Sequence, residues 1–385
     1  MEGRRQDSFP WIWAKSRLPS RAIGTPGIPP RHPPILKDTG LDTADFEQVQ
    51  ILKDPEAGLL GFIAIHNTRL GPAFGGIRRW AYATVDEALR DALLLATHMT
   101  LKCALHRIPA GGGKAVICQR PGLDRAAAYR RLGQYVEQMR GRFYTGPDVG
   151  TEAADLLEVG SQTRFVALPG ENGPGDLAEP TAVGVFAGIR TMSQRLGFSD
   201  LQGVSVLVQG LGAVGRRLAD KLARVGARLL VADVLPDRVQ DAVREWGAQA
   251  VEVDRVASVP CDVFAPCALG GAINPGNVSH LGAKAVAGSA NNVLSTPECG
   301  AQLHRQGVLY APDFVINSGA LLHGALFHLE GVTPPRERIE GIGDLLASVL
   351  ETSADQDLPP EVVAEHLARE RVAASDSDIY LPPAP

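Results

Sequence analysis

The 385-residue chain lacks any apolar run approaching the roughly 18 residues that a membrane-spanning helix needs, although 45% of its residues are apolar. No membrane-spanning helix is therefore expected within these residues. Cysteine is scarce: Cys103, Cys118, Cys261, Cys267 and Cys299 are odd in number and form no C-x-x-C pair. This points to free thiols in a reducing, cytoplasmic setting. The nine histidines are dispersed and show no metal-ligand spacing, so no metal is implied. Net charge is -5, and no basic stripe is interleaved with aromatics, which argues against a nucleic-acid partner. Lysine is the most telling shortage. Only seven of the 38 Lys and Arg residues are lysine.

Two of those lysines stand twelve residues apart, Lys102 in M-T-L-K-C-A and Lys114 in A-G-G-G-K-A-V-I. Arginine stays protonated in proteins. Lysine can lose its proton when desolvated or placed beside another cation, and then act as a base. A chain that uses arginine for ordinary charge and keeps a lysine pair in a Gly-rich, apolar setting suggests a divided task. One ammonium would hold an anion while the other moves protons.

The length favours two domains. Residues 1–36 are rich in Pro, Arg and Gly and show no structural period, which predicts a disordered extension. Residues 37–178 read as one α/β unit. G-L-L-G-F-I-A-I-H is a strand. Thr84 to about His106 is a helix capped by Thr84, with Glu87 completing a capping box. Gly111, Gly112 and Gly113 break regularity before the short strand A-V-I-C, and a helix follows over about 125–140. R-F-Y-T-G-P-D-V-G-T then ends a strand in a loop carrying Asp148. Thr181 begins a new helix. From there to about residue 330 strands and helices alternate, which predicts a parallel, doubly wound sheet. Residues 331–385 would supply helices that pack back towards the first domain.

V-S-V-L-V-Q runs straight into G-L-G-A-V-G, with Gly210, Gly212, Ala213, Val214 and Gly215, and then into a helix. Asp233 ends the next strand. The first glycine permits a tight turn, the second lets backbone amides approach a pyrophosphate, and the third lets helix and strand pack. The helix N-terminus favours the phosphates. Asp233 would accept hydrogen bonds from ribose hydroxyls and repel a 2′-phosphate, which favours NAD over NADP. Arg228 and Arg238 nearby leave that preference open. This module lies mid-chain, so the preceding residues must supply the substrate site.

The ordered blocks L-G-P-A-F-G-G-I-R, M-T-L-K-C-A, G-G-G-K-A-V-I, D-V-G-T, G-L-G-A-V-G, A-P-C-A-L-G, A-G-S-A-N-N and A-P-D-F-V-I-N-S-G resemble the glutamate/leucine/phenylalanine/valine dehydrogenase superfamily. The likeness runs from about residue 40 to the end and is nearest to the leucine dehydrogenase branch. It implies an N-terminal substrate and oligomerisation domain, a Rossmann domain and an active-site cleft between them. It implies Lys114 and Asp148 as catalytic residues and Lys102 as the holder of the substrate α-carboxylate. Gly75 and Gly76 would lie against the substrate, with Phe74, Met99, Asn292 and Leu321 also on the substrate side. Thr181, Asn291 and Asn317 would lie near the nicotinamide, Asn291 and Asn292 being interchangeable in this reading. A homo-oligomer is implied as well.

The implied reaction is reversible, NAD-dependent oxidative deamination of an L-amino acid to a 2-oxo acid and ammonia. Glutamate dehydrogenases carry a lysine where this chain has Phe74, and Leu321 replaces a second polar contact. A distal carboxylate there would be buried unpaired, at a cost of several kcal/mol. The prediction is therefore an apolar, branched aliphatic substrate. Aromatic amino acids and a non-catalytic NAD-binding homologue remain as alternatives. Phe74, Gly146, Pro147 and Ala320 depart from the leucine dehydrogenase pattern at the site itself.

Overall fold

The computed structural model describes residues 43–375 except 169, 171–172 and 269. The predicted disordered segment 1–36 lies outside the described residues. Two sheets organise the molecule. The first holds β1 (Gln48–Asp54), β2 (Leu59–Asn67), β3 (Ala73–Trp80), β4 (Gly111–Cys118) and β5 (Phe143–Pro147), in the order β1-β2-β4-β3-β5. β2 runs antiparallel to β1 and β4, while β3 is parallel to β4 and β5. Both faces of this sheet are covered, as the alternation of β2 requires. Phe62 and Ala64 pack with Ala88, Ala92, Leu93 and Ala96 of α1 (Val85–Leu105). Ile63 and Ile65 pack with Tyr129 and Leu132 of α2 (Arg125–Gln138) and with Leu156 and Val159 of α3 (Ala153–Gly160).

The second sheet is parallel throughout. It holds β6 (Ser205–Gln209), β7 (Arg228–Ala232), β8 (Gln249–Ala250), β9 (Cys261–Pro266), β10 (Ala283–Val286) and β11 (Leu309–Tyr310), in the order β11-β10-β9-β6-β7-β8. Val206 and Val208 join Val185, Ile189 and Met192 of α4 (Ala178–Arg195) and Leu218 and Leu222 of α5 (Ala213–Arg224). Leu207 and Phe264 face the other way, towards Cys299 and Leu303, with α6 (Pro236–Trp246) and α7 (Pro297–Arg305) completing the βα units. α8 (Asp313–Ile316), α9 (Gly319–Glu330), α10 (Arg336–Gln356) and α11 (Pro360–Ala373) finish the described chain. Arg338 and Arg371 donate to the carbonyls of His106 and Ala104, both at 3.3 Å, so the last helices cap the C-terminus of α1. Among the described residues no helix is long and apolar enough to cross a membrane.

Three local expectations are corrected. The glycine triplet does not break regularity: it forms the first three of the eight residues of β4, and every residue of that strand is buried. A Cβ on Gly112 would lie 2.2 Å from the backbone nitrogen of Thr100, so the missing side chain lets α1 press onto the strand. The helix expected to begin at Thr181 begins at Ala178, because Pro180 is tolerated within a first turn. At α1, Thr84 Oγ1 accepts from Glu87 N–H at 3.1 Å, but the Glu87 carboxylate reaches back to Ala83 rather than to Thr84.

Candidate active site

Lys114 is held by strand register. It pairs with Ala64 of β2, and by alternation it points, like Val116, towards the face that α1 covers. Lys102 lies in the last turn of α1. The Gly-permitted closeness of α1 and β4 therefore brings the two lysines to one cavity of about 280 Å³ between the sheets. Phe74, Gly75, Gly76, Met99, Asp148, Thr181, Asn291, Asn317 and Leu321 also line it, so most of the residues expected at the site meet there.

Lys114 Nζ is ion-paired with Asp148 Oδ2, and Arg78 Nε lies 3.3 Å from the same oxygen. Lys114 is 5% exposed. Burial opposes the Asp148 charge, but Lys114 and Arg78 outweigh it and hold this carboxyl well below the usual carboxylate range. Across the cavity Lys102 Nζ donates to Asn291 Oδ1 at 3.2 Å. Burial, partly offset by Asp313 and reinforced by Lys114, brings the Lys102 ammonium down to about 8. The lowered ammonium thus belongs to the lysine expected to hold the anion, while Lys114 sits in an ion pair with Asp148.

Asn317 Nδ2 donates to Asn291 Oδ1 at 2.8 Å, and its own buried Oδ1 has no partner. Asn292 does not reach the cavity. It adopts a left-handed φ of 52°, its N–H donates to Asp313, and its carbonyl accepts from Gly271 at 2.7 Å. The turn turns Asn291 inward and Asn292 away, so Asn292 leaves the expected substrate set. Pro147 keeps its place in β5, paired with Ile77 of β3, and Asp148 follows directly. Ala320 is tolerated as a cavity residue; the close approach falls at Gly319, where a Cβ would lie 2.1 Å from the Pro180 carbonyl.

The far end of the cavity is aromatic. Phe74 stacks on Tyr144, with ring centroids 4.9 Å apart at 5°, and His328 sits tilted beside both. Burial lowers the His328 imidazole, and its Nε2 has no partner. Gly146 and Gly324 leave room along the wall. Arg78, Tyr144, His98, Asp313 and His328 were not anticipated. Only Arg78 carried a signal, as a charged residue two positions after Gly76 within the block L-G-P-A-F-G-G-I-R.

The glycine turn fits a dinucleotide. Gly210 has φ 92°, and a Cβ on Gly215 would lie 1.9 Å from the Gly210 carbonyl, so both glycines are required. A Cβ on Gly212 would meet nothing within 4 Å, and no side chain caps α5 there, which leaves open the space that phosphates need. Ala213 and Val214 form the first turn of α5. The turn follows β6, at the point where the strand order reverses. Asp233 Oδ2 accepts from Leu211 N–H at 2.6 Å and Oδ1 from Leu235 N–H at 2.9 Å. Arg238 lies 3.5 Å away, whereas Arg228 stands at the opposite end of β7.

Two family models match the chain: the Glu/Leu/Phe/Val dehydrogenase dimerisation domain over residues 47–164 and the Glutamate/Leucine/Phenylalanine/Valine dehydrogenase model over residues 236–329. A leucine dehydrogenase of Bacillus cereus is 41% identical over 340 residues, covering 87% of this chain and 93% of that one. A phenylalanine dehydrogenase of Bacillus thermotolerans is 41% identical over 324 residues, covering 82% and 84%. The crystal structure of L-tryptophan dehydrogenase from Nostoc punctiforme superposes with a TM-score of 0.74 at 36% identity, covering 86% of this chain and 97% of that one. With the lysine pair, the aspartate and the dinucleotide turn in place, the chain belongs to the glutamate/leucine/phenylalanine/valine dehydrogenase family and is an amino-acid dehydrogenase working with a nicotinamide cofactor.

Proposed function

We propose that the chain catalyses the reversible, NAD-dependent oxidative deamination of an apolar L-amino acid, leucine-, valine- or isoleucine-like, to the 2-oxo acid and ammonia. The observation that carries this reading is the Lys114–Asp148 pair facing Lys102 across a cavity whose far wall is apolar. Lys102 holds the α-carboxylate, which displaces the neutral Asn291 oxygen in favour of a charge-assisted bond. Gly75 and Gly76 give the substrate room to lie against β3. Held at the turn of Gly210, Gly212 and Gly215, NAD would supply the acceptor for the hydride that leaves the substrate α-carbon. The resulting iminium needs water, and Lys114, once it has released its proton, takes one from that water. Asp148 passes protons between Lys114 and the substrate nitrogen. Thr181, Asn291 and Asn317 stand on the nicotinamide side. Asp233 at the end of β7 supports NAD over NADP, since its charge repels a 2′-phosphate.

Phe74, Tyr144 and Leu321 line the side-chain end and offer a distal carboxylate no cation. A second reading, an aromatic substrate, is favoured by the Phe74–Tyr144 stack and by the bare walls at Gly146 and Gly324. The same proposal places the substrate domain at 37–178, the NAD domain at 179–330 and the closing helices from 331. It includes a cytoplasmic location, supported by five free cysteines. It also includes a homo-oligomer, supported by the dimerisation domain of the first family model and by Ile51, 59% exposed on edge strand β1. NADH formation from NAD with L-leucine, L-valine, L-phenylalanine, L-tryptophan and L-glutamate tests it. Turnover of an apolar member with glutamate inert supports the reading; silence across the panel with NADH still bound leaves a non-catalytic binder.

A further inference from the structure

We infer that Arg78 is a positioning residue for this reaction, bridging Asp148 and Asp91 so that Asp148 stays charged and turned towards Lys114 when Lys114 gives up its proton. The inference rests on the roles proposed above for Lys114 and Asp148.

Arg78 lies on β3, two residues beyond Gly76 and on the same face. Its Nε is 3.3 Å from Asp148 Oδ2, the oxygen that also contacts Lys114. Its Nη1 donates to both oxygens of Asp91 on α1, at 3.1 and 3.2 Å. Asp91 also accepts from the Tyr82 hydroxyl at 2.5 Å. Charge therefore alternates in sign from Lys114 through Asp148 and Arg78 to Asp91. The arginine and aspartate side chains of the central pair are only 14% and 15% exposed, so solvent screens them little.

When Lys114 gives up its proton, the pair is left as a neutral amine beside a carboxylate. Left alone in a buried site, a carboxylate beside a neutral amine tends to take up a proton, because nothing else balances its charge. Arg78 supplies that balance permanently, since a guanidinium does not titrate in this range. Asp148 is faced by Lys114 from β4, Arg78 from β3, Lys102 from α1 and the N–H of Val149. Arg78 is the one of these cations that neither touches substrate nor changes protonation in the proposed reaction. A Cβ on Gly76 would lie 2.9 Å from the Asp148 Cβ, so the bare strand lets the aspartate settle over β3. Pro147 just before it offers no N–H.

The test is the pH profile of kcat/KM for amino-acid oxidation in wild type, Arg78→Met, Arg78→Lys and Asp91→Asn, with NADH binding and thermal unfolding as controls. Removing a positive charge makes the coupled Lys114–Asp148 pair hold its proton more tightly, so Arg78→Met should move the acid limb to higher pH by about one unit or more. It should also lower kcat about a hundredfold, with Arg78→Lys restoring part of both. Asp91→Asn should move the limb the other way, and it carries the test if Arg78→Met fails to fold. A folded, NADH-binding Arg78→Met or Asp91→Asn variant with an unmoved acid limb overturns the inference alone. A wild type silent on the whole amino-acid panel overturns the proposed function beneath it.

Discussion

Lys102 Nζ donates to Asn291 Oδ1 at 3.2 Å across 189 residues of sequence, tying the end of α1 to the loop after β10. The same oxygen accepts from Asn317, so one amide links the lysine at the end of α1 to the residue that ends α8. In the proposed reaction an arriving carboxylate takes Lys102 from this neutral partner.

The first prediction concerns that exchange. Lys102 in the free protein is lowered to about 8, so it is an ammonium below that pH and a neutral amine above it. Only the ammonium holds a carboxylate. kcat/KM for the amino acid should therefore fall on the alkaline side of about pH 8, approaching tenfold per pH unit. kcat should hold further, because bound carboxylate draws the pKa back up. Lys102→Arg should lose this alkaline limb, since arginine stays protonated. A limb that persists in Lys102→Arg belongs to another group.

Asp233 has two tasks. Its carboxylate is 4% exposed and accepts two backbone N–H groups, one of them from Leu211 inside the glycine turn. Asp233→Ala should reduce the NAD-over-NADP ratio of kcat/KM about tenfold or more. It should also lower stability by about 1–3 kcal/mol through the donors it strands, visible as a lower Tm. If the cofactor ratio stays fixed while Tm falls, Asp233 serves the turn alone.

Gly112→Ala should separate the two lysines. Its new methyl would meet the Thr100 nitrogen at 2.2 Å and the Ala96 carbonyl at 2.4 Å, both backbone atoms of α1. Either α1 lifts, carrying Lys102 away from Lys114, or the fold weakens. A loss of about 1–3 kcal/mol in stability is expected, together with a drop in kcat of about a hundredfold. Thermal unfolding and initial rates measure the two. Wild-type values for both would show that α1 tolerates the methyl.

Much of this molecule was legible because its signals are local. The short apolar run G-L-L-G-F-I-A-I-H marked β2, and the strand–glycine–helix order around Gly210 marked the dinucleotide turn. Helix-end details apart, the failures came where the deciding contact was distant in sequence. Gly111, Gly112 and Gly113 looked like a break because glycine carries no pattern, yet they are strand because α1 and Asn67 press against them. Asn291 and Asn292 were interchangeable until one left-handed φ sorted them. The Arg78–Asp91 bridge joins β3 to α1 with no spacing that announces it. The distinction between leucine-like and aromatic substrates rests on the stack of Phe74 against Tyr144 and on His328, which come together only on folding.

The central claim is that the chemistry sits at Lys114 on the first sheet while the cofactor is held by the second. Initial NADH formation and NADH binding, measured side by side for wild type, Lys114→Ala and Lys114→Arg, test it most directly. Both variants should lose turnover by about a thousandfold or more, the arginine because it keeps the charge but cannot give up its proton, while NADH binding stays near wild type. Substantial turnover in Lys114→Arg, or in Lys114→Ala, would contradict the account.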